Sequence, residues 1–186
     1  MREIEVVNVV GSGALGVELD LEVVADDLGD IAKYDPDDYT GMHIRLDTGA
    51  LVTVYRTGSY HVVGVESEAE LFNARDAVIE KLRGLNIPIS DNGRASDEFT
   101  VQNLVCTGDC GIELNLNALT IGFGLENVEY EPEQFPGLVY RSPDHECVVL
   151  LFASGKVVLT GSADMDVLER AFEDVRSDVR ERLGTQ

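Results

Sequence analysis

The chain has no tryptophan, three cysteines and five prolines, and only Lys33, Lys81 and Lys156 supply lysine. Three thiols cannot staple a fold of 186 residues. Cys106 and Cys110 lie four apart with no second pair, which argues against zinc and for reduced cytosolic thiols. No apolar run approaches the roughly 18 residues of a membrane span, and no signal peptide opens the chain. A membrane partner is therefore not expected, and a cytoplasmic location is. Positive charge is the scarcest commodity: 14 Lys+Arg stand against 35 Asp+Glu, a net charge of −21. The hydrophobic fraction of 44% is nevertheless ordinary, so the chain reads as folded with an acidic surface. The acids are scattered and form no single tail. That favours adaptation to molar salt, where screening makes self-repulsion cheap, over a basic partner or nucleic-acid mimicry.

What the chain does have is the same passage twice. Tyr34–Arg45 reads YDPDDYTGMHIR and Tyr130–Arg141 reads YEPEQFPGLVYR, 96 residues apart. Val6–Val10 pairs with Val101–Val105 in the same way, and Tyr55–Gly64 pairs with Phe152–Gly161. Three blocks in one order imply a duplicated half of about 90 residues, marginal alone, so residues 1–90 and 91–186 are expected to work as one body. A pseudo-twofold molecule suits a pseudo-symmetric partner, and duplex DNA is the commonest.

Each half reads strand, helix, several strands, long helix. In the first, Ile4–Val10 is a buried strand, and Leu19–Ile31 has apolar residues at helical spacing, the helix ending near Gly29. Met42–Leu46, Leu51–Tyr55 and Tyr60–Val63 are short strands. A helix with a capping-box start at Ser67 runs to about Arg83 and buries Leu71, Ala74, Val78 and Leu82. Gly84–Ser96 has linker composition. The second half repeats the order with Phe99–Val105, Leu116–Leu125, Leu138–Tyr140, Cys147–Phe152, Val157–Thr160 and a final helix over Met165–Leu183. Strands joined by short turns pair antiparallel. Val148–Phe152 and Val157–Thr160 are apolar without alternation, so this sheet wants apolar contact on both faces while helices cover one. The uncovered face carries Leu150, Phe152, Val158 and Thr160 by period-two spacing. Such a face marks a binding surface, or is covered by a neighbouring subunit or by the other half.

The passages VQNLV at Val101–Val105, YEPEQFPGLVYR at Tyr130–Arg141 and VVLLFASGKVVLTG at Val148–Gly161 resemble the TATA-box-binding protein family in its archaeal form. The resemblance covers almost the whole chain. It implies an α+β fold: a pseudo-twofold saddle of two repeats, with a curved antiparallel sheet of about ten strands and two long and two short helices on the convex face. It also implies that DNA lies under the concave face, in a widened and flattened minor groove. This family is itself the reference case for apolar wedges that kink DNA, by about 80°. In the second repeat it makes Asn103 a donor to base acceptors beside Val105, and Phe135 and Phe152 an intercalating pair. Leu150, Val158 and Thr160 line the groove, and Arg141 and Lys156 meet phosphates. In the first repeat Asn8, Val10 and Arg45 keep their places. Tyr39 and Tyr55 replace the wedge phenylalanines, and their hydroxyls need partners. His61 and Val63 stand opposite Val158 and Thr160, Thr53 opposite Leu150, and Ser59 where the second repeat has Lys156. The first half has thus lost apolar groove contact and a phosphate cation.

The resemblance further implies that Glu131, Glu133 and Gln134 contact transcription factor B within an RNA polymerase pre-initiation complex, with no cofactor, no metal and no catalysis. The implied role is a general transcription initiation factor in the cytoplasm of an archaeal cell, on the nucleoid. The competing role is a divergent paralogue that holds transcription factor B and binds DNA weakly. A homodimer of the DNA-free protein would also hide the apolar face. An enzyme reading has little support. Gly11–Gly16 fits the dinucleotide fingerprint GxGxxG, but no strand–helix–parallel-strand unit follows. His43, His61 and His145 lack a nucleophile at informative spacing.

Overall fold

The structure, a computed structural model, describes residues 3–89 and 99–183. Among them are ten strands and four α-helices, so the fold is α+β. In chain order they are β1 (Glu5–Ala14), α1 (Leu21–Leu28), β2 (Ala32–Lys33), β3 (Gly41–Arg45), β4 (Leu51–Tyr55), β5 (Ser59–Val65) and α2 (Glu68–Gly84). The second series is β6 (Thr100–Asp109), α3 (Leu116–Gly122), β7 (Val128–Glu129), β8 (Leu138–Arg141), β9 (Val148–Leu151), β10 (Lys156–Ser162) and α4 (Met165–Leu183). The strands form one sheet in the order β2-β3-β4-β5-β1-β6-β10-β9-β8-β7, and neighbours with a resolved register pair antiparallel.

By contacts the chain divides into a first unit, Asn8–Gln102, and a second, Met1–Val7 with Asn103–Gln186. The boundaries fall inside β1 and β6, so each unit takes in the opening segment of the other repeat. In the first unit Phe99 stacks on Tyr60 at 5.6 Å and meets Phe72 edge-on at 5.5 Å. A Cβ on Gly11 would stand 2.5 Å from the Phe99 ring. In the second unit Ile4 and Phe172 fill the same role, and a Cβ on Gly108 would lie 2.6 Å from Phe172. Glycine is required at these points because a ring lies flat on the strand. The GxGxxG run is thereby accounted for: Gly11 and Gly13 lie within β1 under Phe99 and Tyr60.

The helices form where caps and periodicity place them. Ser67 accepts the Glu70 N–H at the start of α2, and Glu70 reaches back to the Glu66 N–H instead of that of Ser67. Asp20 and Asn115 cap α1 and α3 in matching fashion, accepting from Val23 and Ala118. The helix expected from the spacing of Leu19–Ile31, with its end near Gly29, starts two residues later at Leu21 and does end there: Gly29 at φ 63° closes α1 and a single 3-10 turn follows. Helix α3 stops at Gly122, short of Leu125. The two-residue strands β2 and β7 are too short to leave a period in the sequence. The expected linker starts later than Gly84, which closes α2, and its residues 90–96 lie outside the described residues.

The core lies between helices and sheet within each unit. Val52, Val54, Val62, Leu71 and Leu82 are fully buried in the first, and Val149, Leu151, Val157, Leu159, Leu168 and Val179 in the second. The alternate strand residues, Leu51, Thr53 and Tyr55 or Val148 and Leu150, are only half-buried and point to the face without helices.

Candidate nucleic-acid interface

On that face the second unit places Val105, Leu150, Phe152, Val158 and Thr160, all half-buried. The first unit places Val10, Thr53, Tyr55 and Val63 likewise, with His61 exposed. Helices α2 and α4 bury the opposite parity, so the apolar face expected at Leu150, Phe152, Val158 and Thr160 is present in the second unit.

Two asparagines are fixed on this face by matching bulges. Between Val65↔Val9 and Val62↔Gly11, two residues of β5 oppose one of β1. Between Ser162↔Leu104 and Leu159↔Cys106, two residues of β10 oppose one of β6. Each bulge holds a glycine at positive φ, Gly64 at 82° and Gly161 at 92°, where an L side chain is strained. The bulge frees the glycine N–H from the ladder, and an asparagine carbonyl takes it: Gly64 donates to Asn8 Oδ1 at 2.9 Å and Gly161 to Asn103 Oδ1 at 2.8 Å. With each oxygen engaged, the Nδ2 amino group is left as the outward donor. For Asn103 it donates to Thr160 Oγ1 at 2.9 Å. Thr160 is Val63 in the first unit, so Asn8 lacks that acceptor.

The loop aromatics pair with strand-end aromatics. Phe135 is 39% exposed and meets Phe152 edge-on at 5.9 Å. Tyr39 is 43% exposed, lies 6.3 Å from Tyr55, and shares a 2.7 Å hydroxyl–hydroxyl hydrogen bond with it. The tyrosine hydroxyls therefore partner each other, and this bond is the main reason the Tyr55 pKa is raised. Each loop is a tight turn, with Tyr39 N–H donating to Asp35 O and Phe135 N–H to Glu131 O, both at 2.9 Å. Gly41 and Gly137 lie beneath the pairs, where a Cβ would reach 2.9 Å from Tyr39 and 2.7 Å from Phe135. Glu131, Glu133 and Gln134 are exposed, with Gln134 Nε2 donating to Glu131 Oε2.

The cations of the second unit stand in ion pairs. Lys156 Nζ lies 3.0 Å from Asp109, whose carboxyl is held below its usual pKa by the Gly111 N–H and by Lys156. Arg141 lies 3.5 Å from Glu129. In the first unit the Lys156↔Asp109 position is Ser59↔Ala14, so the missing cation is matched by a missing acid. Glu129 is replaced there by Lys33, placed opposite His43, and neither Lys33 nor Arg45 has a carboxylate within ion-pair distance among the described residues. On this row the first unit therefore has a base, Lys33, where the second has an acid, Glu129, beside the loss of the Lys156 counterpart at Ser59.

Lys33 and His43 were not among the expected interface residues. His43 was within reach of the sequence: it lies two residues before Arg45 on β3, so period two puts the two on one face. Its Nδ1 is 3.1 Å from Thr53 Oγ1, and its ring stacks on Tyr39 at 5.2 Å. Among the described residues no group of three or more His, Cys, Asp and Glu is arranged to hold a metal ion.

The architecture is that of a duplicated α+β protein in which each unit presents a pinned amide donor and an aromatic pair. The family profile of transcription factor TFIID, or TATA-binding protein, matches residues 3–85 and 98–181. The chain belongs to this family of transcription factors. TATA-box-binding protein 2 of Haloferax volcanii is 47% identical over 97% of this chain and 96% of its own. TATA-box-binding protein C of Halobacterium salinarum is 45% identical over 96% and 98%. The solved structure of the Methanococcus jannaschii TBP superposes with a TM-score of 0.81 at 38% identity, covering 96% of this chain and 99% of that one.

Proposed function

We propose that the protein is a general transcription initiation factor that binds and bends A·T-rich promoter DNA through the minor groove and recruits transcription factor B. The observation that carries this is the pinning of Asn8 and Asn103. Their oxygens are occupied, so each offers an amino group to a groove whose A·T edges carry only acceptors. The half-buried Val105, Leu150 and Val158 supply apolar surface around the second of these donors. Phe135 with Phe152, and Tyr39 with Tyr55, are the wedges that unstack base steps. Arg45, Arg141 and Lys156 meet phosphates, the last two by exchanging Glu129 and Asp109 for phosphate oxygens.

The two repeats, 1–90 and 91–186, act together on one duplex. The exposed Glu131, Glu133 and Gln134 form the platform for transcription factor B and, through it, for RNA polymerase. Among the described residues no helix is long and apolar enough to cross a membrane. When DNA is absent, self-association would cover the half-buried face. A second reading, a modulator that holds transcription factor B but binds DNA weakly, draws support from the two ion pairs that occupy Arg141 and Lys156.

The test is energy transfer between the ends of an A·T-rich duplex in molar potassium chloride, with and without transcription factor B. Bending by the protein alone, abolished by Phe135→Ala, supports the initiation factor. Firm binding of transcription factor B with no bending of any duplex supports the modulator.

A further inference from the structure

One row of residues runs straight across each unit's uncovered face, and the chemistry of its centre differs between the two. In the second unit the cross-strand partners are Glu129↔Val139, Val139↔Leu150, Leu150↔Val158 and Val158↔Thr107. In the first unit they are Lys33↔His43, His43↔Thr53, Thr53↔His61 and His61↔Ser12. The centre of the row is three aliphatic side chains in one unit and His-Thr-His in the other. All three replacements are polar, they are neighbours, and they are tied together. Thr53 bonds His43, His43 stacks on Tyr39, and His61 sets its ring edge-on to Tyr55 at 5.7 Å.

In the minor groove, G·C differs from A·T by one donor, the guanine 2-amino group. An aliphatic row offers that group no acceptor and strips it of water. The His-Thr-His row offers two. In the 3.1 Å contact with His43, whichever atom donates, Thr53 Oγ1 keeps a lone pair. The imidazole of His61, which is exposed and makes no hydrogen bond to a described side chain, carries an acceptor nitrogen when neutral.

We propose that the first unit's His43-Thr53-His61 row accepts a guanine amino group, so that the protein tolerates a G·C pair in one half of its DNA site and rejects it in the other. This rests on the minor-groove reading above and assigns the specificity of one half of it.

The test uses a palindromic A·T duplex in which guanine, or inosine, which lacks the amino group, replaces one base in one half or the symmetry-related base in both. A pseudo-symmetric protein can choose its orientation, so a single guanine will be placed under the tolerant unit. The expected result is that one-guanine duplexes bind within about threefold of their inosine counterparts. Two-guanine duplexes lose about 10- to 100-fold against two-inosine ones, the usual range for a mismatched pair. In His43→Val/Thr53→Leu/His61→Val, which copies the second unit's row, the one-guanine duplex shows that loss as well. The readout is a guanine-to-inosine ratio within one protein, so a general change of affinity cancels, and a thermal melt verifies folding. A one-guanine loss of tenfold in the unaltered protein overturns the proposal, as does equal tolerance of both duplexes. Binding of every inosine duplex with either result leaves the minor-groove reading standing. Failure to bind any duplex overturns both.

Discussion

The hydroxyls of Tyr39 and Tyr55 lie 2.7 Å apart and are each other's hydrogen-bond partner. Phenylalanine holds the equivalent positions in the second unit, so the tyrosine pair is a polar variant of an apolar wedge that satisfies itself. Removing one hydroxyl strands the other when bases close over the ring, at a penalty of about 1–3 kcal/mol. Removing both leaves nothing unpaired. Tyr39→Phe and Tyr55→Phe singly are therefore expected to weaken DNA binding by roughly tenfold. The double variant is expected to bind at least as well as the parent. A double-mutant cycle from fluorescence anisotropy measures the coupling, and additive losses would refute it.

The asparagines make a sharper case, because the bulge dictates which way each amide faces. In Asn103→Asp one carboxylate oxygen still accepts the Gly161 N–H, so the fold is retained. The other oxygen, however, now confronts base acceptors and phosphates with negative charge. Binding is expected to fall by a factor of 100 or more, given about 1–3 kcal/mol of lost readout and a repulsion of similar size. Asn8→Asp should behave alike. Melting temperature and anisotropy together check this: a large loss of melting temperature would mean the amide serves the bulge and not the DNA.

The elements that the sequence discloses are those with long periods or strong punctuation. The final helix was legible over its full length, Met165–Leu183, because its apolar spacing never breaks. The strand Leu51–Tyr55 was legible because turns bound it at both ends. Short turns disclosed the antiparallel strands, and the unalternating apolar runs Val148–Phe152 and Val157–Thr160 disclosed the uncovered face. Three features were not legible. The exchange of opening segments between units depends on where Ile4 and Phe99 find a core, which is a tertiary matter. The two-residue strands β2 and β7 are too short for any pattern, and without β2 nothing brings Lys33 beside His43. The ion pair of Lys156 depends on register across strands distant in sequence, and that of Arg141 on the short strand β7. Composition gives the number of acids but not which cation each one holds.

Tyr60 is a fully buried core residue with a polar atom at the end of its ring. Its hydroxyl is buried without a hydrogen bond, and burial pushes its pKa up to about 12 from 10.0. Tyr60→Phe keeps the stack on Phe99 and removes the unpaired group, so a gain of about 1 kcal/mol in stability is expected. The pH dependence has a definite sign. The unfolded phenol ionises near 10.0 and the folded one near 12, so the unfolded state gains by losing its proton first. The parent should lose stability as pH rises from 10 to 12, while the phenylalanine variant loses less. Urea melts across that window provide the measurement, and identical pH profiles would show that Tyr60 is not the group responsible.

Salt dependence separates bulk charge from local contacts. Ordinary DNA binding weakens with salt because each phosphate contact releases a counterion, with a log–log slope of about −0.9 per contact. Here the net charge is −21, and the Lys156 and Arg141 ammonium and guanidinium groups are already paired with acids. Rising potassium chloride screens the bulk repulsion, strengthens the rivalry of ions for every pair, and leaves apolar burial intact. The parent protein is expected to hold or raise its affinity from low to molar salt. Asp109→Asn releases Lys156 to phosphate, so this variant should bind more tightly at low salt and show a slope more negative by about one contact, 0.9. The Gly111 N–H keeps an oxygen acceptor in the asparagine, so the turn is preserved. Titrations of one duplex at several potassium chloride concentrations decide the matter. A steep loss of affinity in the parent would mean that its cations already reach phosphate, and an unchanged slope in Asp109→Asn would mean that Lys156 never does.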